Sequence, residues 1–174
     1  MTGSTAGGPD KTGSGKVGPV STGSARRRAA EEGWAAYQRM RLLVDAEIAR
    51  DLERSTGLSM PDYDVLAAVA EVAETAECVR VSGLAAHMRW PHSRLSRQLG
   101  RMERRGLIAR EPCERDGRGD DVLLTATGRR ALESATPVHH ASVRNRFTDL
   151  LTPVQLRTLT EIEESIARHR DARK

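Results

Sequence analysis

Four arginines and a serine recur along one short segment in a pattern suited to phosphate and base recognition. Ser93, Arg94, Arg97, Arg101 and Arg104 lie between Pro91 and Arg105. At about 100° per residue of an α-helix these five collect roughly 160–260° away from Leu95, while Leu99 and Met102 fall within about 40° of it. A helix so patterned buries one apolar stripe and turns a cationic face outward. Guanidinium groups present a planar fork of donors that matches phosphate oxygens and the major-groove edge of guanine. The expected chemistry is therefore non-covalent recognition of duplex DNA. His92, Ser93, Arg94 and Arg97, at the start of the helix, should reach base edges or nearby phosphates, and Arg101 and Arg104 should meet the backbone.

The charge distribution agrees. The chain carries +4 overall, yet Arg80–Arg118 contains ten arginines against four acidic residues, so the rest is net negative. A second cationic group follows at Arg115-Asp116-Gly117-Arg118-Gly119. Its glycines permit a tight turn, and a protruding Arg118 suits the narrow, electronegative minor groove of A·T-rich DNA. Asp116 would repel phosphate unless it orients a neighbouring arginine. Other chemistries find little footing. The sequence offers no nucleophile–base constellation, glycine-rich phosphate loop or HExxH, so no enzyme and no cofactor are expected. His139 and His140 are adjacent, about 100° apart on a helix, and His87, His92 and His169 are scattered, so no metal site is expected either.

The elements that must position these residues follow from periodicity and punctuation. Residues 1–24 are rich in Gly, Ser, Thr and Pro and read as a disordered tail. Arg26, Arg27 and Arg28 read as a solvated helix start, with a DNA-grasping arm as the alternative. A long helix is expected from about Ala25 to Arg54, with Trp34, Tyr37, Arg41, Val44, Ile48 and Leu52 on one stripe. Ser59-Met60-Pro61-Asp62 is a capping pattern for a second helix reaching about Glu74. Ser82 should cap a short helix to Arg89, Trp90 turns the chain, and Pro91 opens the arginine-bearing helix, which stops at Gly106. Leu107–Glu111 and Asp121–Leu124 read as two strands around the Arg115–Asp120 turn. Thr125 should cap a helix to about Leu150, bent at Pro137, and Thr152-Pro153 opens the last one, striped by Leu156, Leu159, Ile162 and Ile166. The expected class is mainly α with a small β-hairpin: a helix-turn-helix with a β-hairpin wing over residues 57–124, flanked by helical segments 25–56 and 125–174. The flanking stripes are too extensive for the compact central unit to cover. A homodimer is therefore expected, matched to a palindromic operator with half-sites about 10 base pairs apart.

Over Leu58–Leu151 the chain resembles the MarR family of winged-helix regulators. The resemblance rests on Gly57-Leu58-Ser59, Ser82-Gly83-Leu84-Ala85, Ser93-Arg94-Leu95-Ser96-Arg97 and Glu103-Arg104-Arg105-Gly106-Leu107-Ile108-Ala109-Arg110. Asp116-Gly117-Arg118 and Thr125-Ala126-Thr127-Gly128 complete it in order and spacing. It implies that the first and last two helices intertwine two subunits, that the Pro91–Arg105 helix reads DNA, and that Arg118 enters the minor groove braced by Asp116. The tail is longer than the family core needs, and Pro91-His92 replaces more usual charged or small residues. The resemblance also implies a small aromatic or anionic effector, for which Trp34, Tyr37, Arg41 and Trp90 are candidate wall residues. Repression of transcription is the default mode.

Two cysteines, Cys78 and Cys113, make no disulfide framework. With no apolar export signal and no membrane span in the sequence, a reducing cytoplasm is expected. Cys113 lies among Arg110, Arg115 and Arg118, which could activate its thiol for redox sensing; an inert cysteine is the preferred reading. A non-specific architectural DNA binder is the other alternative, since arginines alone bind any duplex.

Overall fold

A computed structural model describes Met1, Gly3 and residues 22–113 and 120–173. The chain divides into two units, Met1–Met40 and Arg41–Lys174. Within the first, the opening part of helix α1 (Thr22–Thr56) is exposed, Arg26–Arg28 included. Helix thus begins within the stretch read as tail, and Arg28 makes a solvated pair with Glu32 at 3.5 Å.

In the second unit the core gathers around α2 (Met60–Ala73). Ser59 caps this helix as its spacing predicts: its hydroxyl accepts from the Asp62 amide, and Asp62 accepts from the Ser59 amide. Val65, Leu66 and Val69 are then buried against Leu52 of α1 and Leu58. Helix α3 (Val81–His87) begins one residue before Ser82, with Arg80 as its N-cap and no side-chain cap bond. The reason is tertiary. The Val79 carbonyl accepts from the Val122 amide at 3.0 Å, and Arg80 pairs with Asp121, so the chain is held extended up to Arg80 and coils at once beyond it. Helix α3 ends at His87, and the turn that follows it passes through Arg89, whose φ is +54°. The Trp90 amide reaches back to Ala85 and the Arg89 amide to Ala86, a Schellman closure made without glycine.

Helix α4 (His92–Arg104) follows and closes on Gly106, whose φ of +67° suits a residue without Cβ. Strands β1 (Ile108–Pro112) and β2 (Asp120–Leu124) pair antiparallel, with Ile108 opposite Leu124 and Pro112 opposite Asp120. Thr125 caps α5 (Ala126–Arg146), which contains Pro137 and ends short of Leu150 in a 3₁₀ turn, Thr148–Leu150. Gly128 sits so close to Leu107, just ahead of β1, that a Cβ there would strike the Leu107 carbonyl oxygen. Helix α6 (Pro153–Asp171) starts from a Thr152–Gln155 capping box.

The cysteine expectation is corrected. Cys78 and Cys113 are joined by a disulfide, with an S–S distance of 2.02 Å. The residues are 35 apart in sequence, but β2 brings the hairpin base back against the segment before α3. Cys113 is buried, and as a bonded sulfur it carries no reactive thiolate.

Candidate nucleic-acid interface

The arginine face is positioned by what lies behind it. Leu95, Leu99 and Met102 are wholly buried, packing α4 against α2, α3 and β1. Ser93, Arg94, Arg97, Arg101 and Arg104 are all exposed, as the helical spacing predicts. His92 is exposed too, with its Nδ1 3.4 Å from the Ser96 hydroxyl. Among the described residues, the ion pairs of this segment belong to Arg105 with Asp62 and to Glu103 with Arg110. The outward arginines are therefore not neutralised by acids on their own helix.

They are not equivalent. Arg94 lies over the Trp90 ring, 3.8 Å from its centre. Stacking engages the face of a guanidinium and leaves its N–H edges available in the plane. Asp64 lies within its field: burial raises the Asp64 pKa, Arg94 lowers it, and Asp45 raises it further, leaving it above the ordinary value. Trp90, taken from the sequence as an effector wall, packs against the core and carries Arg94. Trp34 and Tyr37 do meet, with ring centres 5.6 Å apart, and both are more than 45% exposed on the first unit. Arg41 opens the second unit and is exposed. Asp116, Gly117 and Arg118 lie outside the described residues. Among those described, no three His, Cys, Asp or Glu side chains group to hold a metal ion.

One part of the site escapes a reading by polarity. Gln98 is 2% exposed and Asp62 2% exposed. Burial raises the Asp62 pKa, but hydrogen bonds from Ser59 and Arg105 outweigh it and hold the carboxyl below its ordinary value. The ionised group accepts from Gln98 Nε2 at 2.7 Å and from Arg105 Nη1 at 2.6 Å. Gln98 Oε1 in turn accepts from Arg101 Nη2. The helical wheel contained a hint, since Gln98 falls about 60° from Leu95, on the shoulder of the apolar stripe.

Comparison with known proteins matches this geometry to a family. The MarR family model covers residues 56–119. Transcriptional regulator HosA of Escherichia coli is 30% identical over 103 residues, spanning 59% of this chain and 73% of HosA. The crystal structure of AbsC, a MarR family transcriptional regulator from Streptomyces coelicolor, aligns with a TM-score of 0.72 at 35% identity, covering 82% of this chain and 94% of AbsC. Sco3205, from the same organism and solved in complex with DNA, aligns with a TM-score of 0.71 at 31% identity, covering 80% and 86%. A helix-turn-helix with a hairpin beside it, an outward arginine face and these likenesses agree: the chain belongs to the MarR family of transcriptional regulators.

Proposed function

We propose that this chain is a sequence-specific, double-stranded-DNA-binding repressor that works as a homodimer on a palindromic operator in the cytoplasm. The observation that carries the reading is the two-sided α4: Leu95, Leu99 and Met102 fully buried, with Arg97 and Arg104 facing out. Such a helix fits the major groove, its N-terminal residues His92, Ser93, Arg94 and Arg97 towards the bases. Arg118, which lies outside the described residues, would add a minor-groove contact, as the family resemblance implies. Selecting bound duplexes from a random pool tests the proposal. The winning sequence should be palindromic and should survive excess random DNA by about 10³-fold or more. No preferred sequence would mean an architectural binder instead.

A small aromatic or anionic effector would release the operator, with the Trp34 and Tyr37 rings of the first unit as its contacts there. The exposed ring pair supports this. Aromatic carboxylates should quench Trp34 and weaken operator binding together; indifference of both signals refutes it.

A second reading rests on the Cys78–Cys113 bond. Cytoplasmic dithiols keep protein thiols reduced, so this bond would be made and broken rather than permanent. A dithiol reductant would attack it, releasing both protein thiols and leaving with its own two sulfurs bonded. The hairpin base would then lose its covalent tie to the hinge. Operator affinity should differ between the reduced and oxidised chain and become redox-independent in Cys113→Ser. Identical affinity in both states removes the reading.

A further inference from the structure

Within the DNA-binding reading above, we propose that Gln98 is a positioning residue, which couples the buried carboxylate of Asp62 to the guanidinium of Arg101 and so presets that arginine for a DNA phosphate.

The chemistry of the four side chains fixes the direction of the relay. An ionised carboxylate can only accept hydrogen bonds. Asp62 therefore compels Gln98 to present its NH₂ group, at 2.7 Å, and the amide cannot turn over without setting carbonyl against carboxylate. The Gln98 carbonyl must then point the other way, where a donor is required and Arg101 supplies it. The other Asp62 oxygen is filled by the Ser59 amide and hydroxyl and by Arg105. One buried acid thus holds two guanidinium groups one turn apart, Arg105 directly and Arg101 through an amide.

Only one of the five N–H groups of Arg101 is taken in this way, and the residue stays exposed. The remainder can meet an anion from a side chain whose rotamers are already restricted. A free arginine would give up that freedom on binding; a held one has largely done so in the folded protein. Packing alone does not call for this arrangement. A methionine at position 98 would continue the stripe of Leu95, Leu99 and Met102 and need no partners.

The test uses the full-length chain and a labelled duplex of mixed sequence, titrated across a range of salt. Gln98→Met should weaken binding by about 3–10-fold, the entropy of one freed side chain, and leave the salt slope unchanged because every charge remains. Arg101→Ala should lower the slope by about 0.9. In the Arg101→Ala background, Gln98→Met should change affinity by less than about 2-fold, because its only route to DNA is gone. Equal losses in both backgrounds, or none in either, overturn the proposal. Nitrogen NMR of the wild-type side chains stands if Gln98→Met does not fold: Arg101 should show slower guanidinium rotation than Arg97, and equal averaging of the two overturns it. A wild-type chain without affinity for the duplex removes the DNA reading and this proposal with it. Binding that ignores Gln98 removes the proposal alone.

Discussion

Arg97 and Arg104 share a face of α4, yet they stand at different depths along it, and this separates their expected roles. Arg97→Ala should cost about 1–3 kcal/mol at one base position and relax sequence preference there, whereas Arg104→Ala should weaken all duplexes alike and flatten the salt dependence. Equal effects of both on selected and random DNA would contradict the assignment. Another residue has a consequence for pH. His139 stacks on Tyr63 with ring centres 4.4 Å apart, its Nδ1 buried without a hydrogen-bond partner among the described residues. Burial, helped by His140, lowers its pKa from 6.5. The unfolded chain therefore binds this proton more readily, so stability should fall as pH drops through 6.5 and level off below the folded-state value. Urea melts across that range should be flatter for His139→Gln; an unchanged pH slope would refute the effect. The outward arginines were legible in the sequence because a 3.6-residue period converts spacing directly into faces. Gln98 was not, because a polar residue beside an apolar stripe looks solvated until the acid opposite it is known. Asp62, 36 residues away, announced only its cap.

Among the elements, helix ends were the most readable feature where a local motif decides them. Ser59, Thr125 and Thr152 all cap the helices they precede. Ser82 failed because the pairing of Arg80 with Asp121, far along the chain, sets where α3 begins. The turn out of α3 keeps a left-handed arginine where α4 uses glycine. Arg89→Gly should therefore raise stability by about 1 kcal/mol through relief of the Cβ clash, less the added freedom of the unfolded chain. A fall in Tm would show that Arg89 makes a compensating contact. Gly128→Ala should act in the opposite sense. Its Cβ would strike backbone, not a movable side chain, and a loss of about 2 kcal/mol or more is expected from denaturant melts. A neutral result would mean that α5 can shift away from Leu107 without penalty.

At the scale of the molecule, the second unit leaves apolar groups uncovered: Leu42, Leu43, Val154, Ile162 and Ile166 are each at least half exposed. A second copy is the cover that the dimer reading supplies. Sedimentation at micromolar concentration should give a dimer, and Ile162→Glu with Ile166→Glu should shift it towards monomer and cost operator binding by more than 10-fold. A wild-type monomer defeats the reading. Ile162 and Ile166 lie on the stripe expected of the last helix, whereas Ile48 and Leu52 of the α1 stripe are buried and the exposed Leu42 and Leu43 lie off it. No sequence pattern announced the cysteine pair, because its closeness is created by the hairpin folding back. That bond has a further consequence. It encloses α3, α4 and β1 in a covalent loop of the chain, which narrows the unfolded ensemble by about 3–4 kcal/mol on the chain-entropy account. A protease that nicks once inside the loop would therefore free no fragment. The cut protein should migrate as one band without reductant and as two with it, the pieces on either side of the wound staying joined through sulfur.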